Sequence, residues 1–253
     1  MGNGFNTRKE KIMQALRQTP ELKVPELVEL TGAAIATIRR DLLKMESMNL
    51  IVRTFGSIRS VEEKSLVART FEQRSFIHRT EKQSIAAAAA KMVSPGMTIV
   101  IDSGTTSWFL ASELKNKAPL RIITSALAVI ETLGGIPGIE INLVGGHFRI
   151  ENLDFFGPVS ISSFEQFHAD IAFLSCDGFL PGFGAFSNDA ESAAISRAIQ
   201  KCASQKILLC DSFKIGKSES FLVLKTDKID VMITDKKLPE PADLPCKVVV
   251  AGE

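Results

Sequence analysis

The nine residues "TIRRDLLKM" (residues 37–45) place two adjacent arginines inside an apolar repeat of helical spacing. On a helical wheel, Ile38, Leu42 and Met45 cluster within about 60°, which predicts a buried stripe. The far side of the wheel carries Ala36, Thr37, Arg40, Lys44 and Ser47, with Arg39 on the flank beside Leu43. This basic face is suited to contact with a polyanion. The alternatives are a solvated face and an ion pair of Arg39 with a neighbouring carboxylate.

The segments around this helix predict a small DNA-binding domain. Residues 7–18 and 24–31 have helical periodicity, and Gly32 permits a sharp turn before the third helix, at about 36–48. In "LIVRTFGSIRS" (50–60), Ile51 and Ile58 bracket a turn that contains glycine, which predicts a β-hairpin. Two short helices joined by a tight turn and followed by a hairpin describe a winged helix-turn-helix.

We expect DNA contacts from seven residues of this domain, with different roles. Base reading is expected from Arg40, Lys44 and Thr37 on the face that begins at Ala36. Phosphate contacts are expected from Arg39, Arg53 and Arg59. Asp41 is expected to pair with a basic side chain of the protein.

Charge and composition agree with a DNA-binding domain and argue against a disordered, secreted or membrane-spanning chain. The 253 residues are 45% hydrophobic and 23% charged, which is typical of a globular chain rather than a disordered one. Residues 1–60 carry ten Lys and Arg against six Asp and Glu, whereas the remainder carries twenty against twenty-three. This excess of positive charge favours a polyanionic partner for the first part. No segment has the pattern of a secretory signal or a membrane span, so a cytoplasmic protein without membrane contact is expected.

The cysteines and histidines predict neither a metal site nor a cofactor. The four cysteines show no CxxC spacing, and the three histidines form no ligand pair. We expect the cysteines to be buried as small apolar residues.

The last 170 residues alternate between β-rich apolar runs and helical patterns, which predicts an α/β domain with a mostly parallel sheet. Helix 81–93 precedes it, and residues 60–80 are predicted to be a linker with some helix. The strand candidates are 98–101, 121–124, 139–144, 171–175, 206–210, 231–234 and 247–250, and the helix candidates are 105–116, 126–133 and 189–203. The predicted domains are therefore 1–59, a linker at 60–80, and 81–253.

Polar and glycine residues follow several of these strands, and in an open α/β sheet ligands bind beyond the carboxyl ends of the strands. In "DSGTT" (102–106), a glycine precedes two threonines that open a helix, an arrangement that can bind an anion. A phosphorylated small molecule is therefore expected as ligand. Its predicted contacts are Asp102, Ser103, Gly104, Thr105, Thr106, Asp177, Asp211 and Lys214. The aspartates are suited to sugar hydroxyls. The alternatives are ordinary capping for the loop and the aspartates, and a surface position for Lys214.

Both parts resemble the DeoR family of bacterial transcriptional regulators. The N-terminal resemblance lies in "ELVELTGAAIATIRRDLLKMESMNLIVRTFGS" (26–57). The C-terminal resemblance lies in "DSGTT", Gly145-Gly146, Asp177-Gly178, "DSFK" (211–214) and Thr234-Asp235. The departures are "GAAIAT" in the turn, Gly56-Ser57 in the hairpin, "TSA" at 124–126 without asparagine, and Phe213 in place of a small residue.

The resemblance implies a homo-oligomeric repressor of carbohydrate-catabolism genes that binds a double-stranded DNA operator and releases it when a sugar phosphate binds. The family's sensor fold is similar to ribose-5-phosphate isomerase, so an isomerase is one alternative. A regulator controlled by a protein partner is the other. The isomerase's D-G turn continues with acidic residues, whereas "FLPGFG" follows Gly178 here. Asp189 and Glu191 could substitute as bases but are suited to capping a helix. We therefore expect no enzymatic activity.

Overall fold

A computed structural model of the protein describes residues 3–19, 21–48, 50–54, 57–60, 71–238 and 244–252. The chain divides into two compact units, residues 1–69 and 70–253. Of the predicted linker at 60–80, residues 61–70 lie outside the described residues, and residues 71–80 are mostly helical.

The N-terminal unit contains three helices and a small antiparallel sheet with the strand order β1-β3-β2. Its elements are α1 (Asn3–Gln18), β1 (Leu22–Lys23), α2 (Val24–Thr31), α3 (Ile35–Ser47), β2 (Ile51–Thr54) and β3 (Ser57–Ser60). Gly32 ends α2 with a φ of 68°, in the left-handed region, and its N–H donates to Val28 O. The predicted helices and hairpin are confirmed, and β1 is an additional strand that no sequence pattern indicated.

The buried stripe of α3 is confirmed, because Ile38, Leu42 and Met45 are at most 1% exposed. They pack with apolar residues of α1, α2 and the hairpin into one core. Asp41 is also buried, and its carboxylate accepts two hydrogen bonds from the Arg8 guanidinium of α1, at 2.6 and 3.2 Å. The expected structural role of Asp41 is therefore confirmed: it joins α3 to α1.

The C-terminal unit is built on a seven-stranded sheet whose neighbouring strands are all parallel. In chain order the strands are β4 (Thr98–Ile101), β5 (Leu120–Thr124), β6 (Ile139–Leu143), β9 (Ala169–Ser175), β12 (Ala203–Leu209), β14 (Val231–Thr234) and β15 (Lys247–Val250). All seven predicted strands are present, with the starts or ends of several shifted by one to three residues. The strand order is β15-β14-β12-β9-β4-β5-β6.

Helices cover both faces of this sheet. They are α4 (Phe71–Phe76), α5 (Arg79–Ala90), α6 (Thr105–Glu113), α7 (Leu127–Leu133), α8 (Pro158–Phe164) and α9 (Ala190–Ile199). Side chains of α5, α6 and α7 share one apolar core, and those of α8 and α9 share the other. Successive side chains of β4 point to opposite faces of the sheet, so Ile99 and Ile101 pack in the first core and Val100 packs in the second. Among the described residues, no helix is long and apolar enough to cross a membrane.

Two small sheets lie outside the predicted pattern. One has the order β10-β11-β13, and the other is a hairpin of β7 and β8. Their strands are β7 (His147–Arg149), β8 (Asp154–Phe156), β10 (Gly178–Leu180), β11 (Gly184–Ser187) and β13 (Phe221–Lys225). They are three to five residues long, too short for their periodicity to stand out in the sequence.

Candidate functional site

The exposed face of α3 presents the predicted DNA-contacting residues. Arg39 and Arg40 are exposed, and within the described part of the chain neither forms a side-chain hydrogen bond or ion pair. The alternative of an ion pair for Arg39 therefore finds no partner there. The Lys44 ammonium lies 4.2 Å from the centre of the Phe5 ring, a cation–π contact that orients it. Ala36 is exposed at the start of the helix, and Thr37 is half-buried.

Two apolar side chains on this helix were not among the predicted contacts. Leu43 is 56% exposed, and Ile35 at the start of α3 is 49% exposed. On the wheel Leu43 lies between Arg39 and Arg40, so the middle of the face is apolar as well as basic. This position was visible in the sequence, because the wheel places Leu43 opposite the buried stripe.

The hairpin carries the other two predicted phosphate contacts. Arg53 in β2 lies 3.6 Å from Glu46 of α3, and both side chains are 39% exposed. Such an exposed pair is weak and can exchange for a phosphate. Arg59 lies in β3 opposite Val52, and its side chain is outside the described residues.

The strand order of the large sheet reverses between β4 and β9, which defines a crevice. From β4 the chain proceeds outward through β5 and β6, and then crosses back to place β9 on the other side of β4. The loops after these two adjacent strands, residues 102–106 and 176–178, therefore meet. Such a reversal point is where open α/β sheets bind ligands.

The Asp102 carboxylate holds the 102–106 loop in place. It is 3% exposed. Its Oδ1 accepts from Ser103 N at 2.8 Å, and its Oδ2 from Ser196 Oγ at 2.8 Å and from Ser175 N at 3.4 Å. Burial raises the pKa of Asp102 to about 7, although these hydrogen bonds favour the charged form. Its oxygens are engaged within the protein, so its contact with sugar hydroxyls stays a prediction.

Gly104 and the two threonines shape the start of α6. Gly104 has a φ of 122°, which a residue with a Cβ rarely adopts, and a Cβ there would lie 3.4 Å from Ser175 Oγ. Ser107 Oγ lies 3.0 Å from Ser175 Oγ, a hydrogen bond that joins α6 to β9. Thr105 and Thr106 are buried in the first turn. The first N–H groups of such a helix have no partner within it and attract anions.

Asp211 and Lys214 lie together after β12, the next strand beyond β9. Lys214 Nζ donates to Cys176 O at 2.6 Å and lies 3.7 Å from Asp211 Oδ2. Asp211 is 1% exposed, and neither of its carboxylate oxygens has a hydrogen-bond partner among the described residues. Burial acts to lower the pKa of Lys214, but the Asp211 carboxylate and other nearby anionic groups raise it above its ordinary value. Lys214 is therefore a charged part of the crevice rather than a surface lysine.

Other polar groups lie at or just after the carboxyl ends of further strands of the same sheet. Asp177 Oδ2 accepts from Ser187 Oγ at 3.0 Å and from Asn188 N at 3.1 Å, which makes it a loop anchor; its effector contact stays a prediction. Ser125 Oγ and Thr234 Oγ1, at the carboxyl ends of β5 and β14, are buried and have no hydrogen-bond partner among the described residues. Buried hydroxyls of this kind are rare and can mark ligand contacts.

Sequence reasoning missed the contribution of α5 to this region. The His78 ring, just before α5, stacks on Phe213 with centroids 3.6 Å apart and planes inclined by 13°. Lys82, one turn later, is 5% exposed. The signal available in the sequence was the helical spacing of Lys82 with Ile85, Ala86 and Ala89, which form the buried stripe of α5.

The two acidic residues weighed as catalytic bases begin α9. Asp189 accepts from Ser192 N at 2.7 Å and from Arg149 Nη1 at 2.7 Å. Burial acts to raise the pKa of Asp189, but the hydrogen bonds from Arg149 and Ser192 and the positive charge of Arg149 together lower it below its ordinary value. Such a carboxylate is a cap and an ion-pair partner, and a poor proton acceptor.

The cysteines follow the expected burial with one exception. Cys176, Cys202 and Cys210 are buried, whereas Cys246 is only partly buried. The described residues contain no group of three His, Cys, Asp or Glu side chains that could hold a metal ion.

Comparison with known proteins identifies both units. Residues 8–64 match the DeoR-like helix-turn-helix domain, and residues 77–236 match the DeoR C-terminal sensor domain. The lactose phosphotransferase system repressor of Streptococcus mutans is 30% identical over 201 residues, 77% of this chain and 79% of that protein. The HTH-type transcriptional repressor CsqR of Escherichia coli K12 is 33% identical over 183 residues, 70% of this chain and 69% of that protein.

Among solved structures, ribose 5-phosphate isomerase A of Methanocaldococcus jannaschii is similar at 17% identity, with 55% of each chain covered and a TM-score of 0.41. The two domain matches together extend from residue 8 to residue 236. The chain therefore belongs to the DeoR family of DNA-binding transcriptional regulators.

Proposed function

We propose that this regulator represses carbohydrate-catabolism genes and leaves its operator when a phosphorylated sugar binds in the crevice at the carboxyl ends of β4, β9 and β12. One observation carries the choice of ligand. A helix N-terminus, a lysine and a buried carboxylate without a hydrogen-bond partner among the described residues belong to two loops of one crevice.

The chemistry of these groups is that of a sugar phosphate. The first turn of α6 and the Lys214 ammonium are donors for a phosphate. The Asp211 carboxylate accepts hydrogen bonds, and a sugar hydroxyl supplies a donor for it. The Streptococcus mutans relative, named as a repressor of the lactose phosphotransferase system, supports a carbohydrate-linked role.

On the DNA side, Arg40, Lys44 and Thr37 of α3 enter the major groove, while Arg39, Arg53 and Arg59 hold phosphates. The protein acts as a homo-oligomer, because two or more winged helices on repeated half-sites multiply the affinity of one. The effector changes the placement of the DNA-binding units of the oligomer relative to one another. Its differential affinity for the two placements supplies the coupling free energy.

We propose binding without turnover. An isomerase needs a carboxylate base beside the reacting carbon, and Asp189 is instead committed to Arg149 and to the N-terminus of α9. Incubation with sugar phosphates followed by chromatography of the products tests this directly. Formation of an isomer at a rate above the buffer control would overturn it.

The test of the main proposal begins with the operator. Selection from a random pool of double-stranded DNA defines the sequence bound by the full-length protein, and fluorescence anisotropy then measures the affinity. Hexose and pentose phosphates are added in parallel with the corresponding free sugars as controls. We expect at least one phosphate to release the DNA and raise the melting temperature, whereas its free sugar does neither.

Two results would contradict the proposal. If the selection yields no preferred DNA sequence, the proposed binding to a specific operator is wrong. If no sugar phosphate changes the melting temperature of the protein or its affinity for DNA, the proposed ligand is wrong, and control by a protein partner is favoured.

A further inference from the structure

A row of four exposed residues runs along α3 on the side opposite its buried stripe. Its members are Ala36, Arg40, Leu43 and Ser47. At 100° per residue, their side chains point within about 60° of one another, so they lie in one line along the helix. Ala36 and Ser47 are short. Arg40 and Leu43 are therefore the two side chains of this row that extend far from the helix.

Leu43 is the unusual member of the row. It is 56% exposed and does not belong to the apolar core of the N-terminal unit. The ammonium of the next residue, Lys44, does not cover it, because that ammonium lies 4.2 Å from the centre of the Phe5 ring. A single exposed leucine is common on protein surfaces. This one, however, lies in the middle of the face that the proposed function turns towards DNA.

The charges beside Leu43 indicate what kind of partner covers it. Arg39 and Arg40 flank it on the helical wheel, and neither forms a side-chain hydrogen bond or ion pair within the described residues. A second copy of this helix would bring like charges together, which is unfavourable. A polyanion with an apolar group on its surface suits both the leucine and the arginines. The major groove of DNA is such a surface, because phosphates border it and the C5-methyl group of thymine projects into it.

The thymine methyl is the group in the major groove that a leucine can cover without losing hydrogen bonds. The other bases present hydrogen-bonding groups there, such as N7 and O6 of guanine and the N4 amino group of cytosine. A leucine placed over these groups displaces water and offers no hydrogen bond in return, which costs free energy. A leucine placed over a methyl group removes apolar surface of both partners from water, which is favourable.

We propose that Leu43 recognises a thymine of the operator through its methyl group, beside a guanine that Arg40 recognises. The inference rests on the proposed placement of α3 in the major groove. Arg40 and Leu43 are three residues apart, which is a rise of about 4.5 Å along the helix axis. Successive base pairs are about 3.4 Å apart. For a helix that lies along the groove, the thymine is therefore expected one or two base pairs from the guanine in each half-site.

The experiment uses the full-length protein and the operator obtained by selection. Each thymine of the operator is replaced in turn by uracil, which keeps the base pair and lacks only the methyl group. Fluorescence anisotropy measures the affinity of the wild type, of Leu43→Ala, and of Leu30→Ala as the matched control. Leu30 is 41% exposed and lies near the end of α2. Leu43→Ala is expected to fold, because alanine has the highest helix propensity and Leu43 lies outside the core; circular dichroism checks this.

The wild type should lose affinity about threefold to tenfold when uracil replaces the thymine beside the guanine. This is the effect of about one methyl group lost from an apolar contact. Leu43→Ala should bind the thymine and uracil operators with affinities within about twofold of each other, whereas Leu30→Ala should show the full wild-type loss. Leu43→Ala should also keep the salt dependence of the wild type, since Leu43 neutralises no phosphate. Arg39→Ala should reduce the slope of that dependence by about one.

The outcomes separate this inference from the proposed function. If the selection yields no preferred DNA sequence, both fail. If a specific operator is found and every uracil substitution leaves the wild-type affinity within twofold, only the role of Leu43 is overturned. An operator without a thymine within two base pairs of a guanine overturns it as well. So does a Leu43→Ala variant that keeps the full uracil effect, because another side chain, such as the exposed Ile35, then contacts the methyl group.

Discussion

The ion pair of Lys214 with Asp211 leads to a quantitative prediction for the stability of the C-terminal unit. The two charged groups are 3.7 Å apart, with side-chain exposures of 24% and 1%. Lys214→Met keeps the length of the side chain and removes the charge. It leaves the buried carboxylate of Asp211 without its cation.

The expected size follows from the geometry. At an effective dielectric constant of about 20, two unit charges 3.7 Å apart attract by about 4 kcal/mol. Breaking a buried pair by removing one partner costs about 3–5 kcal/mol. Because the Lys214 side chain is partly hydrated, we expect the free energy of unfolding to fall by about 3 kcal/mol, at the lower end of this range. Adding Asp211→Asn should restore most of the loss, since no unpaired charge then stays buried.

Urea unfolding followed by tryptophan fluorescence measures the free energy of unfolding of the C-terminal unit alone. Trp108 is the sole tryptophan of the chain and packs against Phe71 and Phe109 in the C-terminal unit. Lys115→Met, at an exposed site, is the control and should shift the free energy of unfolding by less than about 0.5 kcal/mol. A loss below about 1 kcal/mol in Lys214→Met, without coupling to Asp211→Asn, would refute the premise that this pair is shielded from water.

Three further results are expected. Arg40→Ala should weaken operator binding by about 1–3 kcal/mol in an anisotropy titration and leave sugar-phosphate affinity unchanged; equal operator affinity would disprove the assignment of the face. Burial raises the pKa of Asp102 to about 7 in the folded state, so its stabilising contribution is complete below about pH 4 and is lost as the pH rises through about 7. Asp102→Asn should remove this part of the pH dependence of unfolding. Gly146→Ala should destabilise the protein by about 1–3 kcal/mol, because the added Cβ would overlap Ser160 Oγ and lie 2.5 Å from Phe156 O. Gly145→Ala, whose Cβ meets nothing within 4 Å, should unfold at nearly the wild-type denaturant concentration.

Local patterns in the sequence were sufficient to predict the main helices and strands and which of their faces are buried. The stripe of Ile38, Leu42 and Met45 repeats with the period of a helix, so its burial could be predicted without knowing what covers it. The strands of the large sheet are apolar on both faces, and their succession with helices predicted parallel pairing. Asp41 was recognisable as a structural residue by its position at the edge of the stripe, but Arg8 as its partner was not.

Neighbour relations across long stretches of chain needed the tertiary structure. Asp102 accepts a hydrogen bond from Ser196, 94 residues away, and this contact reveals that the carboxylate anchors its loop. The stacking of His78 on Phe213 likewise depends on the packing of the start of α5 against a loop that follows β12. Neither relation has a local signature, because periodicity reports which side of an element is buried and not what buries it.

The sequence by itself determined that this protein joins a winged helix-turn-helix to an α/β sensor domain, since both follow from local periodicity and from motifs within one or two elements. The tertiary structure decided where the strand order reverses, which loops share the crevice, and which charged groups are desolvated there. The physical reason is that strand order and desolvation depend on the packing of segments distant in sequence, whose free energy is shared among many side chains rather than encoded at one position.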